Sequence, residues 1–440
     1  MANNQFVAKC ICIALGTLVS IPLYAVPSVD SESVTLTQDT SSRLVTVKYK
    51  LTGDPAIVTV DFQTNNVDGV WTSIGGEKFS QVIGDVNKIV NKIDEISTIY
   101  WQPAKADAWP NQNIAGDNFR AVVKVWATNA PPPYMIVDLK DNPGTTMYYP
   151  SVEAIPGGIT NDIYKTNRLA FRLVPAALVT WTMGAPSGEN GQADSNREKS
   201  HKVTFTKDYY MGVYPVTQMQ HYLFSGKTPS TSTNNLSETA AYPVESVLWK
   251  DLRGAYYDND SVKGDWPEDG NEVGNNSVLY KARNVTGLPS LDLPTEAMWE
   301  YACRAGTSTA TYAGNLTILS GEDPVLNRIA WCAFNSDGHT HPVGLKECNE
   351  WGFFDMLGNV GQLTLDKWSA AMSSDSVVDP TGPQSVSESL MWYRVYRGSG
   401  WDAEVKRVRA AFREAIYMHA SSAAKPTVGY RVCCEAMALK

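Results

Sequence analysis

Positive charge is scarce in this sequence of 440 residues: 37 lysines and arginines against 46 aspartates and glutamates leave a net charge of −9. The cations form no patch or stripe, which argues against a nucleic-acid surface, since phosphate binding draws on a local cationic excess. A protein, peptide or glycan partner is expected instead. Histidine is scarcer, five in all. Only His339 and His341 stand close together, at a spacing that suits a metal on a strand, but no third ligand is evident and an exposed loop is the expected reading. His201, His221 and His419 have no helpful neighbours. No Gly-x-Ser-x-Gly, phosphate loop or Cys-x-x-Cys occurs, which removes the usual serine-hydrolase, nucleotide and dithiol readings. After residue 25 no apolar run is long enough to cross a bilayer.

What is present reads as globular, with 43% hydrophobic and 19% charged residues and length for two or three domains. The 13 tryptophans and 21 tyrosines suit a loop-rich fold and contacts to carbohydrate or peptide. Lys9 precedes an apolar run, Cys10 to Ala25, interrupted by Gly16 and Pro22. That pattern predicts a signal peptide over 1–25 and an exported chain, periplasmic, at the cell surface or secreted, without a stable membrane span once the signal is removed; an uncleaved anchor is the alternative. Export permits disulfides, and removal of Cys10 and Cys12 leaves an odd five cysteines.

Residues 28–148 read as an all-β sandwich of immunoglobulin or fibronectin type. Val45, Val47, Tyr49 and Leu51 alternate with polar residues, and Thr52-Gly-Asp-Pro55 turns the chain into Ile57–Phe62. Arg120–Ala127 and Tyr134–Leu139 supply further strands. Residues 149–177 read as a linker and an entering strand, Leu169–Val174. Beyond it, Val203–Phe205 and Tyr209–Val213 are expected strands, and Thr217 caps a helix through Phe224. Ser225–Ala240 and Tyr257–Asn284 read as irregular surface loops. Thr295 is a good N-cap for a short helix carrying Glu296 in its first turn and ending at Gly306.

That helix lies in Leu293-Pro-Thr-Glu-Ala-Met-Trp-Glu-Tyr-Ala-Cys-Arg-Ala-Gly-Thr307. With Tyr210-Met-Gly-Val-Tyr-Pro-Val-Thr217, Trp351-Gly-Phe-Phe-Asp-Met-Leu-Gly-Asn-Val360, Arg397-Gly-Ser-Gly-Trp401 and Gly429-Tyr-Arg431, it resembles the formylglycine-generating enzymes, or sulfatase-modifying factors, over 178–436. The resemblance implies an α+β, loop-rich, C-type-lectin-like fold. In active members two cysteines bind copper(I), a soft ion that favours thiolates, and oxidise a cysteine of a sulfatase. The corresponding interval, Asp402 to Phe412, has no cysteine; Val405 takes the second thiol's place, so copper is not expected and no catalytic residue is assigned. A pocket tryptophan of the family is Gly361 here, a loss of roughly 150–250 Å² of contact surface, and Gly400 stands where a serine is usual.

The resemblance also implies calcium at Asp355, Gly358, Val360 and Gln362, with Asn335 and Ser336 as a second site, unless hydrogen bonds alone hold these loops. It further suggests a Cys303–Cys434 bridge, with Cys332–Cys348 as a local second one. The expected function is binding of a ligand or partner without oxidation. The alternatives are a non-haem-iron oxygen-using enzyme and retained sulfatase maturation.

Overall fold

A computed structural model describes residues 26–436, except 66–67, 79–81, 104–113, 115–117, 142, 193–195, 232–234, 255–272, 384–385, 388, 391 and 418–423. The expected signal segment and His419 lie outside the described residues. None of the described helices is long and apolar enough to cross a membrane.

The alternation at 45–51 does what its period dictates: Val45, Val47, Tyr49 and Leu51 are fully buried on one face of the strand Val45–Thr52. That strand pairs with Ile96–Trp101, Thr35–Gln38 and Ser28–Val29 in one sheet. Ala56–Asn65 organises the other, pairing with Phe119–Ala127, Trp71–Ser73 and Lys88–Val90. Between them Phe62 stacks on Trp101 at 4.7 Å and on Phe119 at 5.8 Å, filling a sandwich core.

Tyr134–Asp138, read from the sequence as part of this sandwich, pairs elsewhere. It lies between Thr145–Tyr149 and Arg168–Val174 in a second, five-stranded antiparallel sheet that continues through Tyr209–Gly212 to Cys433–Glu435. The sheet therefore runs across the boundary expected at 148, because Met135 and Val137 bury against Phe171 and Met211 and not against the sandwich core. A four-stranded sheet orders Arg413–Tyr417, Tyr393–Arg397, Gly361–Lys367 and Val428–Tyr430. Both sheets contribute to one large core around the helix Glu296–Arg304, all nine of whose residues are buried.

The helix ends behave as their residues require. Thr295 accepts from the Met298 N–H, and Ala305 closes the helix at φ 47° just before Gly306. Thr217 and Gln220 form a reciprocal capping box on the helix Gln218–Ser225. The stretch expected to be irregular up to Asn284 instead contains the helix Val278–Thr286, capped by Ser277 and closed by Gly287.

The expected disulfides are absent: Cys303, Cys332, Cys348, Cys433 and Cys434 are all free thiols. Cys434 stands opposite Tyr210, whose hydroxyl reaches Pro132. Tyr209, one residue along, instead sends its hydroxyl to Met298 on the helix that carries Cys303. Cys434 therefore faces away from Cys303. Cys348 is exposed whereas Cys332 is buried in the core.

Candidate functional site

The strands that carry the site are anchored by an ion-pair network organised by the central helix. Glu296 and Glu300, one turn apart, face Arg397, Arg413 and Arg304, all buried. Arg397 donates to Glu296 at 2.7 Å, to Glu300, and to the Ala410 carbonyl at 2.6 Å. Arg413 grips both oxygens of Glu296, at 2.6 and 2.7 Å. Burial alone would raise both carboxyls, but the guanidiniums outweigh it and hold Glu296 and Glu300 below the usual range. The network fixes Arg397 and Arg413, the chain neighbours of Tyr396 and Glu414, which form two walls of the site.

Those walls enclose an open pocket of about 450 Å³ at the Gly-Ser-Gly-Trp loop, lined by Trp401, Tyr396, Glu414, Arg407, Lys425 and Thr427 among others. Trp401 is half-buried and held at three points. Its backbone N–H donates to Asn359 O at 2.9 Å, its carbonyl accepts from Ser336 Oγ at 2.9 Å, and its indole N–H donates to Pro426 O at 3.1 Å. Tyr396 donates its hydroxyl to Glu414 at 2.7 Å, and Lys425 lies over its ring at 5.3 Å. Burial first, and then the Glu414 carboxylate, push the Tyr396 phenol's pKa up, so the hydroxyl stays protonated. Asp402 and Glu404 add exposed carboxylates at the rim. The pocket thus offers an aromatic platform, donors and acceptors of both charges, and no sulfur among its described lining residues.

Both glycine positions are closely approached by neighbouring residues. A Cβ on Gly361 would lie 2.7 Å from Tyr396 Cδ2 and 3.0 Å from Cε2. A Cβ on Gly400 would lie 2.6 Å from both the Cβ and the carbonyl oxygen of Thr427. Tyr396 therefore stands where a larger residue at 361 would need room, and Thr427 closes on 400. Val405 sits in a single 3-10 turn, Val405–Arg407, and is 4% exposed, packed in the core. Neither Tyr396 nor Thr427 was singled out from the sequence, because each lies far along the chain from the glycine it fills.

The expected calcium residues come together, but as partners of protein donors. Asp355 accepts from the Gly344 N–H at 2.7 Å and the Asn359 amide at 3.3 Å. Gln362 accepts from Trp299 at 2.8 Å and Arg431 at 2.9 Å, and donates to Asp355 O at 2.7 Å. Fully buried Arg431 also donates to the carbonyls of Gly212 and Phe354, each at 2.6 Å. Burial pulls its pKa down to about 9, which leaves the guanidinium charged at neutral pH. The Gly358 N–H donates to Gly398 O at 2.8 Å, and the Val360 side chain is buried. The Arg431 guanidinium thus lies beside the carbonyls of Phe354 and Asp355 and the Gln362 side chain.

Asn335 accepts from the Cys332 N–H at 2.9 Å, while Ser336 spends its hydroxyl on Trp401. Both loops act as the scaffold that orients Trp401: Asp355 holds Asn359, and Asn359 and Ser336 hold the tryptophan. His339 and His341 lie with ring centres 4.6 Å apart, and His341 stacks on Trp331 at 3.8 Å. No group of three or more His, Cys, Asp or Glu suited to a metal occurs among the described residues.

Comparison with known proteins agrees with the motif reading. The family model described as Sulfatase-modifying factor enzyme 1-like domain matches residues 176–436. The chain is 28% identical to the Chaperone protein LppX of Paenibacillus barcinonensis, covering 50% of this chain and 78% of that protein. It is 34% identical to the Formylglycine-generating enzyme of Bos taurus over 105 residues, 21% of this chain and only 26% of the bovine protein. Among solved structures, Treponema denticola variable protein 1 aligns with a TM-score of 0.45 at 22% identity, covering 61% of this chain and 95% of that one.

Proposed function

This chain belongs to the sulfatase-modifying factor family over residues 176–436, and we propose that it is an exported member that binds a ligand or protein partner at the Trp401 pocket in place of oxidising a cysteine there. The observation that carries this reading is the close packing around the pocket: Tyr396 fills the space at Gly361, Thr427 closes on Gly400, and Val405 is packed in the core. A copper(I) centre draws on paired thiolates, and no cysteine lies between Asp402 and Phe412. The Trp401 and Tyr396 rings with neighbouring acids and bases suit a peptide or glycan, whose faces stack on aromatics and whose polar groups need donors and acceptors. The relative named as a chaperone, matched over most of its length, supports a role exercised by binding.

The test uses purified full-length protein in two assays. Metal analysis with a copper(I)-dependent peptide-oxidation assay is expected to give no turnover; copper with turnover would restore sulfatase maturation, and stoichiometric iron would point to an oxygen-using enzyme. A glycan array and a pull-down from the source cell, run beside Trp401→Ala, are expected to yield a ligand that the variant loses. Equal retention by the variant would remove Trp401 from the reading.

A further inference from the structure

A second pocket, of about 400 Å³, shares no lining residue with the first and opens beside the helices Gln218–Ser225, Trp249–Arg253 and Val278–Thr286. Three lysines line it, Lys227, Lys250 and Lys281, and none takes part in an ion pair among the described residues. Asp251 is the only carboxylate among its described lining residues. The pocket also receives the N-terminus of Val278–Thr286, a nine-residue helix capped by Ser277, whose dipole presents its positive end.

The second observation is His221, which lines this pocket although it is only 3% exposed. Its Nδ1 lies 2.9 Å from the Tyr430 hydroxyl, which is fully buried and has no other partner among the described residues. A buried phenol O–H without an acceptor is costly, so Tyr430 donates to Nδ1 and the proton of the imidazole resides on Nε2. Burial, with Lys227 adding to it, lowers the His221 pKa to about 4, so the ring is neutral. Nε2–H makes no hydrogen bond among the described residues. Three lysines, one imidazole and a helix N-terminus therefore line the same pocket, with Asp251 the one acidic side chain among its described lining residues.

We propose that this pocket binds a small organic oxyanion, a sugar acid or a sugar phosphate, with Lys227, Lys250 and Lys281 taking the charge and His221 Nε2–H donating to it. The volume exceeds what a bare ion fills and suits a ligand of sugar size. Isothermal titration of the full chain with glucuronate, glucose 6-phosphate and glucose tests this. At least one charged sugar is expected to bind and glucose is not, which also separates carboxylate from phosphate ligands. The double variant K250A/K281A, altered at pocket-rim positions, is expected to lose affinity by roughly ten-fold or more, while Trp401→Ala keeps it. Binding of neither charged sugar, equal binding of glucose, or unchanged affinity in the lysine variant would overturn the proposal. Because Trp401→Ala disables only the first pocket, failure of that reading is distinguishable from failure of this one.

Discussion

If Tyr396 occupies the room that residue 361 would need, the two positions are energetically coupled, and a double-mutant cycle reads that coupling. In Gly361→Ala the new Cβ falls 2.7 Å from the Tyr396 ring, a distance real side chains do not keep, so the ring or the strand must shift. Overpacking of this kind costs about 2 kcal/mol. Tyr396→Ala removes a ring that is 7% exposed, together with its bond to Glu414, at about 4 kcal/mol. Independent effects would sum to about 6 kcal/mol. In the double variant the added methyl meets empty space, so the loss should stay near that of Tyr396→Ala alone, a shortfall of about 2 kcal/mol. Urea denaturation of the four proteins, followed by tryptophan fluorescence, measures it. Additivity within about 0.5 kcal/mol would show that the ring does not fill this space. Gly361→Trp on the Tyr396→Ala background should be no less stable than Tyr396→Ala.

Four further outcomes follow from the geometry. His221 has its pKa lowered from 6.5 to about 4, so the unfolded chain binds the proton more readily between those values. Stability should therefore fall as pH drops through that window, by up to about 3 kcal/mol, and His221→Gln should flatten this slope in pH-dependent denaturation. Glu296 and Glu300 have lowered pKa values, so their contribution is present above the unfolded carboxyl value and is lost as pH falls through the folded one; Glu300→Gln should cost about 3–5 kcal/mol at pH 7 by leaving buried arginines underpaired. Alkylation of the native protein should label Cys348 and spare Cys303, Cys332, Cys433 and Cys434, which are buried, as peptide mass mapping would read. Millimolar calcium should leave the melting temperature unchanged, because the side-chain oxygens of Asp355 and Gln362 already accept from protein donors.

Local rules carried well from sequence to structure. The period of two at Val45–Leu51 and the caps at Thr217 and Thr295 involve near neighbours, so their physics is written within a few residues. Motif spacing carried the family over 178–436. What escaped was pairing at long range. Tyr134–Asp138 has the same alternating character as the sandwich strands, and nothing in it names Arg168–Val174 as its neighbour. The family resemblance suggested Cys434 as the partner of Cys303, yet the face turned toward the helix is that of Tyr209. Arg431 gave no signal as a neighbour of Gln362, which lies 69 residues before it. His221 gave no signal because its partner, Tyr430, is 209 residues away.

The sheet closed by Cys433–Glu435 has a consequence for biosynthesis. Arg431 reaches Gly212 across 219 residues of chain, and Cys433 pairs with Met211, so the domain's core cannot lock until Cys433–Glu435 has left the ribosome. A nascent chain stopped short of that point leaves Tyr209–Gly212 with an unpaired flank, an open invitation to a neighbouring chain.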